Sequence, residues 1–159
     1  MSRTGWPAII GLVVVVWCGY LWMTTRSTLW DRDEPRNATA AVEMVQSGDL
    51  LVPTFNSEPR LRKPILMYWL MALSVNVLGP TVLAVRFWAP LGIAISCLLT
   101  AWIARRLYGP EAGWWAAAIF ATQPLVLVVG TIAKADAILL PAMLGATMCF
   151  VLAWTSGPN

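Results

Sequence analysis

The sequence predicts an all-α fold, a polytopic membrane helix bundle of about four transmembrane helices with an outer loop carrying two short interfacial helices. Three observations predict it. Hydrophobic residues make up 58% of the chain and charged ones 12%, with a mean hydropathy of +0.67, more apolar surface than a soluble core of this length could hide. The charges leave five uncharged windows, Thr4 to Thr25, Pro64 to Val85, Phe87 to Ala104, Ala112 to Ala133 and Ala137 to Asn159, each close to the roughly 20 residues that cross a bilayer. Finally, the stretch from Trp30 to Trp69 gathers six of the eight acids and five of the eleven basic residues, which marks an aqueous loop beside membrane segments.

The first span is predicted at 6–24, with Trp6, Trp22 and then Trp30 as interfacial anchors. Arg3 before a long apolar run, with no small-x-small site after Met23, reads as an uncleaved signal anchor. An outer loop over 25–82 follows. Within it, Ala38, Ala41, Val42 and Val45 repeat at helical spacing, Pro35 suits a first turn and Ser47-Gly48 an exit, so a short amphipathic helix is expected over 34–46. The window after Lys63 is bounded by Pro64 and by Asn76, Gly79 and Pro80. It leaves about 16 helical residues, roughly 24 Å, short of a ~30 Å hydrocarbon core. It therefore reads as a second interfacial helix.

Charge supports that choice. With the Pro64 window outside the membrane, Arg105 and Arg106 join Arg3 on the inner side, where short basic loops belong. The remaining spans are then 83–104, bracketed by Trp88 and Trp102, 113–132 and 137–154, all in a single membrane domain over 1–159 without internal repeats. This arrangement brings Asp33 and Asp136 to one outer face, at the ends of different helices.

Composition also excludes chemistries. A formal charge of +3 and a pI near 9.0 come from basic residues scattered through loops rather than set on one helical face, so no nucleic-acid partner is expected. The chain has no His, which removes His-based triads and His-ligated metals. Cys18, Cys97 and Cys149 are too dispersed for a metal knuckle. Catalysis would have to use carboxylates, Lys, Arg, Tyr or backbone.

Asp31, Asp33, Glu34 and Arg36 cluster where the chain leaves the first span. Asp33 or Glu34 either caps the next helix, where a carboxylate meets free N–H groups, or does chemistry; local pattern leaves both open. Asp136 stands between two windows long enough to span, where it either marks a helix end, with Lys134 snorkelling beside it, or positions a sugar hydroxyl or assists its deprotonation. Arg60, Arg62 and Lys63 precede the second window. Such a triplet either anchors a helix among lipid headgroups or holds a phosphate at membrane level, and Arg86 faces the same choice.

Asp-Glu-Pro-Arg at 33–36, Ala-Ala-Val-Glu-Met at 40–44, Ser-Gly-Asp at 47–49, Leu-Val-Pro-Thr at 51–54, Glu-Pro-Arg at 58–60 and Lys63-Pro64 followed by Tyr68-Trp69-Leu70 resemble the first outer loop of bacterial lipid-linked sugar transferases. These are C-superfamily glycosyltransferases, a group that includes the lipid A aminoarabinose transferase and relatives of protein O-mannosyltransferases. Arg105-Arg106-Leu107-Tyr108-Gly109 and Ala135-Asp136-Ala137 continue the likeness in order. Asn37 departs from it where an aromatic is frequent, and Thr39 where an acid is common. The likeness covers nearly the whole chain but only about the amino-terminal third of the family architecture, so a fragment or an abbreviated member is expected.

The resemblance implies transfer of a sugar from a polyprenyl-phosphate carrier to the hydroxyl of a glycan, lipid or protein acceptor, in the bacterial plasma membrane, on its periplasmic or extracellular face. It implies Asp33 as general base, Glu34 in its support and Asp136 orienting the acceptor. Lys63 and Arg60, with Arg36 and Arg86, would bind the substrate. Asp33, Glu34 and Asp136 could also ligate a divalent cation such as Mg²⁺, though no metal can be assigned. Two rivals remain: a truncated, non-enzymatic membrane subunit that binds the polyprenyl-phosphate lipid, and a transporter, for which the paired halves are missing.

Overall fold

The computed structural model describes residues 5–29 and 31–156; the markers Arg3 and Trp30 lie outside the described residues. Eight helices and one small hairpin follow in order: α1 (Trp6–Thr25), α2 (Glu34–Ser47), β1 (Thr54–Phe55), β2 (Glu58–Pro59), α3 (Ile65–Leu78), α4 (Val82–Arg86), α5 (Trp88–Tyr108), α6 (Pro110–Thr122), α7 (Pro124–Thr131) and α8 (Ala135–Thr155). Three helical stretches, α1, the near-continuous α4–α5 and α8, are long and apolar enough to cross a membrane, and α6 with α7 makes a fourth if the bent pair is one span. The chain is a membrane protein built almost wholly of helix.

The helices run alternately. Arg86, at the end of α4, bonds the carbonyls of Thr24, Ser27 and Thr28 at and just beyond the far end of α1, whereas the Arg105 guanidinium lies 5.3 Å from the ring centroid of Trp6 at its start. Thus α5 is antiparallel to α1. Small residues let the backbones approach: Ala94, Cys97 and Ala101 of α5 meet Ile9 and Val13 of α1 and Ala117 and Ala121 of α6 in one buried cluster. Gly113 of α6 abuts the Ala101 carbonyl, and a Cβ at Gly92 would collide with the carbonyl of Ala137, so the start of α8 presses on the start of α5.

The span predicted at 113–132 is broken. Pro124 lacks an N–H and forces the residue before it out of the helical region, and Gln123 is extended (φ −61°, ψ 129°) with α6 and α7 bent by 64°. The break exposes carbonyls, one of which is recovered: the Tyr20 hydroxyl donates to the Ala121 carbonyl at 2.9 Å. The predicted 83–104 span begins earlier and ends later, from Thr81, whose Oγ1 accepts the Ala84 N–H, to Tyr108, where Gly109 takes φ 99° ahead of Pro110.

The predicted loop helices at 34–46 and after Pro64 are α2 and α3. They pack against each other and on α4 through Ala38, Ala41, Met67, Met71, Val75, Ala84 and Val85. With 14 residues, α3 extends about 21 Å, too short for a span. Gly48 closes α2 in the left-handed region at φ 73°, as its Ser-Gly exit suggests. The β1–β2 hairpin was not expected from the apolar pattern, because its signal is only the turn pair Asn56-Ser57, both at positive φ (53° and 65°).

Candidate active site

The carboxy-terminal end of α1 converges on one buried pair. Arg86 and Glu34 are both fully enclosed, and the guanidinium grips the carboxylate at two points, Nε to Oε1 at 2.8 Å and Nη2 to Oε2 at 2.7 Å. The other Arg86 N–H groups reach Ser27 Oγ and the carbonyls of Thr24, Ser27 and Thr28 at 2.8–3.2 Å, so all five donors are used. Glu34 Oε1 also accepts the N–H of Ala133 at 2.7 Å. One charge pair therefore ties α1, the start of α2, α4 and the α7–α8 junction together.

Asp33 stands at the N-cap of α2 without making a capping bond. Asp31 organises the turn before the helix: its Oδ1 accepts the Asp33 N–H at 3.0 Å, and its Oδ2 meets Lys134 Nζ at 3.1 Å. These partners, the backbone bond first and Lys134 next, hold the Asp31 carboxyl below its ordinary range. The Asp33 carboxylate faces two cations, Lys63 Nζ at 3.4 Å and Arg60 Nη2 at 3.8 Å, with about two-fifths of its side chain exposed.

Arg60 is nine-tenths buried; its Nη2 also donates to Asn37 Oδ1 at 3.4 Å, while its Nε, the Asn37 amide nitrogen and the Tyr68 hydroxyl are buried without a partner among the described residues. Buried polar atoms are normally satisfied. Three such atoms in the α2–α3 region beside Asp33 are unused recognition capacity.

Asp136, in the first turn of α8, is exposed and unpaired among the described residues. It stands at the rim of an otherwise apolar groove of about 330 Å³ among α5, α6, α7 and α8, lined by Ile93, Phe120, Leu125, Val129 and Leu140. No bond joins Asp136 to Asp33. Their helix starts are nevertheless neighbours, because Ala133 and Lys134 bond Glu34 and Asp31. A larger apolar groove, about 610 Å³, runs between α2 and α3 past Met44, Leu50 and Trp69, and shares no residue with the carboxylates.

The structure thus gathers Asp33, Lys63 and Arg60, places Asp136 on the same end of the bundle, encloses Glu34 with Arg86, and sets Arg36 in a separate cleft with Arg60 and Arg62. The three carboxylates suggested for a cation do not converge: among the described residues no group of three acidic or sulfur ligands could hold a metal. Asp31, Lys134 and Glu43 were missed as organising residues. Glu43 accepts from the Thr54 hydroxyl and from the N–H groups of Asn56, at 2.8 Å, and Ser57, at 3.4 Å, locking the hairpin turn to α2. The spacing Asp31-x-Asp33 was the available signal, since an Asp side chain commonly bonds the N–H two residues on.

Residues 62–158, more than half the chain, match the family model of dolichyl-phosphate-mannose-protein mannosyltransferase. The chain is 37% identical over 141 residues to undecaprenyl phosphate-alpha-4-amino-4-deoxy-L-arabinose arabinosyl transferase 2 of Sodalis glossinidius (strain morsitans), covering 88% of this chain and 26% of that protein. It is 37% identical over 149 residues to the corresponding transferase of Edwardsiella ictaluri (strain 93-146), covering 93% and 26%, and 33% identical over 140 residues to that of Aeromonas salmonicida (strain A449), covering 87% and 26%. No solved structure matches. The chain spans about a quarter of the length of these relatives, and over that span it belongs to the dolichyl-phosphate-mannose-protein mannosyltransferase family of membrane glycosyltransferases.

Proposed function

We propose that this chain forms the amino-terminal catalytic part of a glycosyltransferase that moves a sugar from a polyprenyl-phosphate carrier to an acceptor hydroxyl. The site would face the periplasmic or extracellular side of a bacterial plasma membrane. The observation that carries the reading is Asp33, which makes no capping bond and is held 3.4 Å from Lys63 at the membrane-loop boundary.

The residues divide the work. The Lys63 ammonium, with Arg60, neutralises the donor phosphate; phosphate binding draws Lys63 away from Asp33 and frees its carboxylate. The acceptor hydroxyl oxygen then attacks the anomeric carbon while its proton passes to Asp33. The bond from that carbon to the phosphate oxygen breaks, and polyprenyl phosphate leaves with the electron pair, its new charge stabilised by the same cations. Asp136 orients the acceptor at the mouth of its apolar groove, which suits an acyl or prenyl chain. We assign Glu34 and Arg86 to bracing rather than to substrate contact, because neither side chain has an exposed atom to offer.

The test is sugar transfer by the full-length enzyme in membranes with Asp33→Asn, Asp136→Asn and Lys63→Gln. Asp33→Asn should lower the rate by about 10² to 10⁴, the usual contribution of a general base, with membrane insertion unchanged. Full activity in Asp33→Asn would remove that residue from the mechanism.

A further inference from the structure

A second basic cleft shares Arg60 with the Asp33 site but is lined by neither Asp33 nor Lys63. Arg36 from the first turn of α2, Arg62, and the body of Arg60 surround a cavity of about 260 Å³ whose remaining walls are Phe55, Pro59 and Glu58. The guanidinium groups of Arg36 and Arg62 make no hydrogen bond or ion pair with any described residue, and Glu58 pairs with none of the three arginines. Arg60 is nine-tenths buried, and its Nε has no acceptor. Arg60 already has Asp33 at 3.8 Å, but the guanidinium groups of Arg36 and Arg62 have no counter-charge among the described residues, and an anion between them would relieve their repulsion.

The walls are pre-organised. Glu43 fixes the turn at Asn56 and Ser57, which sets Phe55 with its ring centroid 5.8 Å from the Arg60 guanidinium carbon. Depth is indicated by the neighbours: Leu61, between Arg60 and Arg62, is 75% exposed, and Leu51 in the preceding loop is 78% exposed. Apolar side chains left bare beside membrane-spanning helices are solvated by lipid, so the cleft opens at headgroup level. Lys63 does not line it.

We propose that this cleft binds the phosphate of an anionic membrane-lipid headgroup, as a site separate from the donor phosphate held at Lys63, which fastens the hairpin and the Asp33 region to the bilayer surface. The proposal does not depend on sugar transfer, and its test reads binding alone. The purified chain in neutral detergent micelles is titrated with dihexanoyl phosphatidylglycerol, dihexanoyl phosphatidylcholine and inorganic phosphate, for the wild type, an Arg36→Gln/Arg62→Gln double variant and Lys63→Gln. Arg62 is exposed and Arg36 half-buried, and circular dichroism checks that each variant is folded.

The phosphatidylglycerol should bind the wild type and lose roughly thirtyfold in affinity in the double variant, the loss expected for two arginines at a headgroup surface. Lys63→Gln should bind it like the wild type, and phosphatidylcholine and free phosphate should bind more weakly. Lipid binding that survives in the double variant, or falls instead with Lys63→Gln, overturns the proposal. So does free phosphate binding as tightly as the lipid.

Discussion

Glu34 and Arg86, 52 residues apart, form a two-point ion pair fully shut off from solvent, and the same carboxylate accepts the backbone N–H of Ala133. Removing one partner of such a pair leaves an uncompensated buried charge, at a cost of roughly 3–5 kcal/mol. Arg86→Met should therefore lower stability by that order in thermal or denaturant unfolding of the micellar protein. Adding Glu34→Leu should recover part of the loss, since two apolar groups need no counter-charge. Unfolding of the single variant at the wild-type midpoint would show that the pair is not the brace described.

Gly92 sets the position of Asp136. No side chain fits there, because its first carbon would overlap the Ala137 carbonyl. Gly92→Val should push the start of α8 off α5, costing about 1–3 kcal/mol, and should move Asp136 away from the cluster at Asp33. The checking measurement is sugar transfer by the full-length variant against its expression in the membrane. A well-inserted variant should be strongly impaired, and one with normal turnover would contradict the placement.

Acid should loosen the hairpin. Glu43 is held below its ordinary value near 4.5, chiefly by the Thr54 hydroxyl and then by the N–H groups of Asn56 and Ser57. A carboxyl lowered by folding contributes stability that is complete above its unfolded value and is lost as pH falls through the folded one. Hydrogen exchange at Asn56 and Ser57, corrected for intrinsic rate, should show constant protection from pH 7 to about 5 and declining protection below about 4.5. Glu43→Ala should show low protection at every pH. Protection that ignores pH would remove Glu43 as the lock.

Most of the bundle was legible because membrane spans announce themselves by missing charge, and α2 by its Ala38, Ala41, Val42 and Val45 stripe between Pro35 and Gly48. The break at Gln123 was available in Pro124 but hidden by an uncharged window that runs across it. Pairings were harder. Glu34 with Arg86 and Asp31 with Lys134 join residues far apart in sequence, and a lone Arg between apolar windows reads as a boundary marker until a buried acid is found for it. Asp33 could be read as a cap or as a reactive group, and the missing cap bond together with the ion pairs to Lys63 and Arg60 distinguishes the two.

The central claim is that Asp33 and Asp136 share one aqueous face, opposite the Arg105–Tyr108 end of the bundle. Site-directed labelling in intact cells tests it most directly, with Asp33→Cys, Asp136→Cys and Tyr108→Cys introduced singly after Cys18, Cys97 and Cys149 are changed to Ala. A membrane-impermeant maleimide added outside should label positions 33 and 136 and reach 108 only after the cells are opened. Labelling of 33 and 136 from opposite sides, or of 108 together with 33 from outside, would contradict the account.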